Sequence, residues 1–241
     1  MICSSLLLMQ EQAQAQETVF LSQGRIEFEK KVNVYAQLEG DDSWTEITKK
    51  NTTQFRTNYY DLSFHQQITF FRPGREVAEG NNMLGSQPAE DNVVYTDLEK
   101  HQYTGMKELP DQRFLVKDST RVIRWKITDE TRTIAGFECR RANALIMDSI
   151  YVVAFYTDAI VTPGGPEGFC GLPGMILGIA LPHEHVTWFA TKVYAEEIPV
   201  ATLKPPVKGE VTTHKILQEQ LQKRMGDWGK YGQRYIVASM L

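Results

Sequence analysis

Cysteine is scarce in this 241-residue chain, which has only Cys3, Cys139 and Cys170. At most one internal bridge can therefore staple whatever lies beyond the first residues. Charge of one sign is equally lacking. Lys and Arg total 26 against 30 Asp and Glu, a formal charge of -4, and the longest basic clusters are the pairs Lys49-Lys50 and Arg140-Arg141. Such a chain carries no electrostatic footprint for nucleic acid, and none is expected as a partner. Long apolar runs are missing too. The opening run Met1–Met9 is less than half of the ~20 residues that a membrane-spanning helix needs, so no transmembrane segment is expected. The catalytic signatures are also missing: Gly-x-Ser-x-Gly, His-Glu-x-x-His, a phosphate-binding Walker loop and Gly-x-Gly-x-x-Gly. No catalytic residue and no cofactor are assigned, and a non-enzymatic role is expected. No internal repeat is present.

What is there begins with the opening run itself. Met1–Met9 is followed by Ala13-Gln14-Ala15 and then Gln16-Glu17, the small-x-small pattern of a cleaved export leader. Residues 1–16 are read as a signal peptide whose basic start is missing, and 17–241 as one mature domain. Export places the protein in the periplasm or at the outer membrane. Cys3 leaves with the leader. Cys139 and Cys170 then form an even pair in an oxidising compartment, either one disulfide or two buried thiols.

Period-two alternation dominates the mature chain. Val19, Leu21, Ile26, Phe28, Val32 and Val34 alternate with polar residues and predict a strand or hairpin. Further strands are expected at 57–64, 67–71, 92–106, 112–117, 120–127, 135–147, 150–158, 174–181 and 185–197. Their joints are short polar turns such as Thr128-Asp129-Glu130 and Asp148-Ser149, and a longer loop is expected over 74–91. Two helices are expected. One spans about 43–52, with Ser43 and Glu46 as a capping box. The other spans about 213–226, with Ile216, Leu217, Leu221, Met225 and Trp228 as its apolar stripe. No strand–helix–strand crossover pattern appears, so a doubly wound parallel sheet is disfavoured. The expected fold is mainly β: a single curved antiparallel sheet or half-barrel, with one helix near the N-terminus and one at the C-terminus.

The most distinctive segment runs from Ile160 to Leu177, where Gly164-Gly165-Pro166-Glu167-Gly168-Phe169-Cys170 precedes Gly171-Leu172-Pro173-Gly174-Met175-Ile176. Pro173 and Gly174 suit the two central positions of a type II turn. With Ile134–Ala142, Phe155-Tyr156-Thr157, Trp44–Lys50, Tyr59–Phe64 and Arg72–Glu76, this segment resembles the GLPGLI family of exported bacterial proteins, Met175 standing in for a leucine. The resemblance spans most of residues 17–241. It implies export and a β-rich fold, and brings no established activity or cofactor.

Three functional expectations follow. The first is a non-enzymatic periplasmic or cell-envelope binding module, holding an apolar ligand in a dry, aromatic-lined cavity or holding a partner protein. The second makes Gly165, Pro166, Phe169, Gly171, Leu172, Pro173 and Gly174 a loop that docks a ligand or an outer-membrane or other envelope partner. The third uses His183 and His185, at i and i+2 of a strand and so on one face, as two corners of a zinc or copper site. Against this stands a turn carrying two solvated imidazoles. Asp97, Glu99 and His101 alternate along the strand expected at 92–106 and are read as a solvated strand face.

Overall fold

In β1 (Gln23–Asn33) every second residue is buried, and Ile26, Phe28, Lys30 and Val32 face inward. A computed structural model describes residues 20–38, 40, 42–77, 88–109 and 112–241. The expected leader, the start of the predicted first strand and much of the loop expected at 74–91 lie outside the described residues.

Strand β1 is the axis of a 12-stranded sheet. On one side follow β2 (Phe55–His65), β3 (Ile68–Pro73), β4 (Val93–Asp97), β5 (Gln102–Leu109) and β6 (Gln112–Ser119), an antiparallel meander. The short β12 (Glu210–Thr212) adds to β6 in parallel. On the other side of β1 lies β11 (Val186–Tyr194), followed outward by β10 (Met175–Leu181), β9 (Ile150–Thr157), β8 (Phe137–Ile146) and β7 (Lys126–Ile134), all antiparallel.

Connectivity forces this sheet to bend. Strands β6 and β7 stand near opposite ends of the strand order, yet only residues 120–125 separate them in the chain. Ten inter-strand gaps would span roughly 48 Å if flat. The link from Ser119 to Lys126 reaches at most roughly 25 Å when fully extended. The two ends of the sheet must therefore curl toward each other, and the result is an open half-barrel. Register shifts at Glu27/Phe28, at Ile176/Gly178 and between Ile127 and Thr131 supply local bends.

The segment Ile160–Gly174 and the C-terminal helices α3 (His214–Met225) and α4 (Gly229–Met240) join the strands' inward side chains in one core. Near the N-terminus stand the single turn α1 (Val34–Gln37) and α2 (Ser43–Lys50). The cap of α2 is Asp42, whose carboxylate accepts from Thr45 N at 2.7 Å, and not the expected Ser43. Thr213 caps α3. Of the predicted α3 stripe, Leu217 and Leu221 are buried, whereas Ile216 and Trp228 are exposed.

Three strand expectations need correction, the first being 120–127, of which residues 120–125 form no strand but the link to β7. The run 92–106 is two strands, β4 and β5, joined by a turn at 98–101, and the supposed turn Thr128-Asp129-Glu130 lies inside β7. Asp97, Glu99 and His101 therefore do not share a strand face. Asp97 is buried and accepts from Lys100 N at 3.0 Å and from Lys100 Nζ at 2.7 Å, closing the turn that carries the other two. No helix of the described residues is long and apolar enough to cross a membrane.

Candidate functional site

The Gly-Pro segment turns inward. Gly165, Pro166, Phe169, Leu172 and Gly174 are buried, and only Gly171 and Pro173 stand exposed. Gly174 has φ +139°, and a Cβ there would lie 2.1 Å from Thr157 O, so only glycine fits. The turn closes differently from the expected type II form. Gly174 N donates to Leu172 O, a three-residue γ-turn about Pro173, while Met175 N donates to Ile160 O. Trp125, in the link between β6 and β7, donates its indole N–H to Cys170 O at 2.9 Å and ties the segment to the sheet's curled end. The residues expected to dock a partner are mostly part of the core.

Within this segment the 3-10 turn Pro166–Gly168 points one carboxylate into the interior. Glu167 adopts φ 53°, ψ 19°, a left-handed conformation costing a non-glycine residue about 1–2 kcal/mol. Its side chain is fully buried. Oε2 accepts from Asn92 Nδ2 at 2.9 Å, and Oε1 lies 4.0 Å from Lys30 Nζ. Lys30 itself donates to Ala89 O at 3.1 Å and stands over the rings of Trp188 and Tyr60, at 5.1 and 5.8 Å. Burial pulls the Lys30 ammonium down in pKa, and the charges of Glu167 and Glu90 only partly offset this.

A second buried lysine shares the neighbourhood. Lys107 and Tyr103 both face inward from β5, and burial pushes Lys107 down to about 8 and Tyr103 up. Lys107 Nζ, Tyr103 OH, Glu167 Oε1 and Asn92 Oδ1 are all buried with no hydrogen-bond partner among the described residues. Beside Tyr103 and Glu167 is a void of ≈ 10 Å³, lined also by Arg121 and His214. That is room for about one water molecule. His214 caps this corner. Its ring Nδ1 is 3.2 Å from Asp118 Oδ2, and burial together with Lys107 and Arg121 lowers it to about 4.

These residues were only partly foreshadowed. Lys30 is in phase with Ile26, Phe28 and Val32, and Lys107 with Tyr103 and Leu109; a charge on the apolar side of an alternating strand was the available signal. Glu167, in a loop without periodicity, gave none.

The larger opening is a cleft of ≈ 710 Å³ along β2, lined among others by Phe55, Arg56, Thr57, Tyr59, Arg75 and Glu90. Arg56 pairs with Glu90 at 2.6 Å, and the Arg75 guanidinium lies 3.2 Å from the centre of the Tyr59 ring. Here β2 pairs with β1 along its whole length, but with β3 only from Tyr60 to His65. The cleft therefore runs beside the strand edge Phe55–Tyr59. Its lining is mixed polar and aromatic, unlike the dry aromatic cavity expected from the sequence.

The remaining sequence candidates fare differently. Cys139 and Cys170 are free and buried, not bridged. Cys139 Sγ faces Phe137 O and Cys170 Sγ faces Arg121 O, so each thiol has its own surroundings. Burial raises both, Cys139 to about 12, and at Cys170 it outweighs the opposing pull of Arg121. His183 lies in the 3-10 turn Pro182–Glu184, followed by His185 at φ 56°, so the same-face geometry of a strand does not apply. No group of three or more His, Cys, Asp or Glu able to hold a metal ion occurs among the described residues.

No family model and no curated protein matches the chain. Among solved structures it is similar to PNGF-II in two crystal forms. One has TM-score 0.53 at 13% identity over 87% of this chain and 34% of that one. The other has TM-score 0.54 at 12% identity over 84% and 33%. The chain thus spans about a third of those proteins, and at this identity the likeness is one of fold.

Proposed function

We propose that this chain is an exported, non-enzymatic binding module of the cell envelope, and that it holds an extended segment of a partner protein beside β2. The observation that carries the reading is the strand edge Phe55–Tyr59, which opens onto a cleft where β3 pairing has ended. Tyr59 O already accepts from Gly74 N on that side. By the alternation of an antiparallel ladder, the backbone groups of Thr57 and Phe55 point the same way. An added strand would satisfy them, with Phe55 and the Arg75–Tyr59 stack meeting its side chains. Export is supported by the leader-like residues 1–16 and by the GLPGLI resemblance. The apolar-ligand alternative draws less support, because the Gly-Pro segment fills part of the interior.

The test is amide exchange at Phe55–Tyr59 with peptides selected for binding from a random library. Binding should slow exchange there at least tenfold, and Thr57→Pro, which removes one edge N–H, should abolish it. Protection mapping elsewhere, or no selectable peptide, would defeat the reading. A co-purifying acyl chain seen by native mass spectrometry would favour the apolar ligand instead.

A further inference from the structure

The interior brings together a primary amine, a carboxamide and a carboxylate, and the proposed binding role uses none of them. Lys30, Asn92 and Glu167 are each at least nine-tenths buried, at 6%, 0% and 3% exposure. They come from distant parts of the chain: the centre of β1, the residue before β4, and the 3-10 turn of the Gly-Pro segment. One carboxylate serves both others. Its Oε2 accepts the Asn92 amide N–H at 2.9 Å and its Oε1 faces Lys30 Nζ at 4.0 Å. Lys30 Nζ already bonds to Ala89 O, three residues before Asn92 on the same segment.

We propose that Lys30 and Asn92 form an intramolecular isopeptide bond, with Glu167 carrying the proton between them. The Glu167 carboxylate takes a proton from the Lys30 ammonium and leaves a neutral amine. The amine's lone pair attacks Asn92 Cγ, forming the new C–N bond and a tetrahedral centre. The protonated Glu167, already touching Nδ2, delivers its proton to that nitrogen. The old Cγ–Nδ2 bond breaks and ammonia leaves. The second proton lost by the lysine nitrogen passes through Glu167 to the departing ammonia, so one ammonium leaves in all and Glu167 ends as the carboxylate it began as. No oxidant, reductant or other reactant is needed.

Burial favours this course on two counts. A desolvated lysine loses its proton more readily, as nucleophilic lysines do. Amide formation also removes an ammonium whose one hydrogen-bond acceptor among the described residues is a backbone carbonyl.

The experiment is intact mass spectrometry of the purified full chain, followed by sequencing of its tryptic peptides. The wild type should be lighter than its sequence mass by one ammonia, with a branched peptide joining Lys30 to Asn92. Lys30→Arg and Asn92→Ala should show sequence mass and no branched peptide, and Lys30→Arg should migrate more slowly on a denaturing gel. Glu167→Gln should also lack the bond. Asn92→Asp should lose water in place of ammonia. A wild type at full sequence mass with Lys30 cleavable by trypsin overturns the proposal, whether or not any variant folds. A branched peptide retained in Glu167→Gln removes Glu167 from the chemistry.

Discussion

Lys107 shows how costly a single interior residue can be. Its ammonium is buried without a hydrogen-bond partner among the described residues, and burial lowers it to about 8 from 10.5. Because the folded value lies below the unfolded one, the unfolded chain keeps a proton between pH 8 and 10.5 that the folded chain has released. Stability therefore rises with pH across that window, and the full penalty, about 3 kcal/mol, is present below pH 8. Lys107→Met should stabilise the protein by about 1–3 kcal/mol at pH 7. Urea unfolding should show that advantage shrinking as the pH rises to 9.5; an advantage constant with pH would mean the residue is not desolvated. Lys30 was legible in the chain, in the apolar phase of the first strand, whereas Lys107 lies just past the strand expected at 92–106 and within β5. Glu167 was not, because a loop carboxylate has no periodicity to betray which way it points.

At the scale of elements, strand identity came through well and joints less so. Alternation marks which residues share a face, yet a polar run such as Thr128-Asp129-Glu130 reads as a turn although it continues β7 at the sheet's far edge, where solvent covers both faces. Helix α4 was missed because Gly229 and Gly232 look like stops; Gly232 lies against Met225 O, where a Cβ would not fit. The Gly-Pro segment reads as a docking loop, yet it lies in the core. Its burial rests on close backbone approach, and this yields a prediction. Gly174→Ala, with φ +139° and Thr157 O 2.1 Å from the new Cβ, should cost about 2–4 kcal/mol. Chemical denaturation of the variant checks it, and a loss below 1 kcal/mol would mean the segment yields easily.

At the scale of the whole molecule, the corner where β6, α3 and the Gly-Pro segment meet should contribute to acid sensitivity. His214 is held at about 4 against 6.5 in the open chain. Its folded value is depressed, so below pH 6.5 the unfolded chain takes up a proton first, and stability falls until about pH 4. The loss should approach 3 kcal/mol. His214→Gln should lose less over the same range, and urea midpoints at pH 7 and 4.5 measure the difference. Equal acid losses in the two proteins would place the titration elsewhere.

The linear chain by itself determined a β-rich, meandering fold and most of its strands. Those properties are set by local alternation, by turn residues and by the lack of crossover helices. Tertiary structure alone decided the rest. The six-residue link between β6 and β7 curls the sheet, the curl turns the Gly-Pro segment into core, and that core brings Glu167 to Lys30 and Asn92. It also kept Cys139 and Cys170 apart and, among the described residues, left Phe55–Tyr59 of β2 without a strand on the β3 side. Each of these depends on distances between residues far apart in the chain, which no periodicity or spacing encodes.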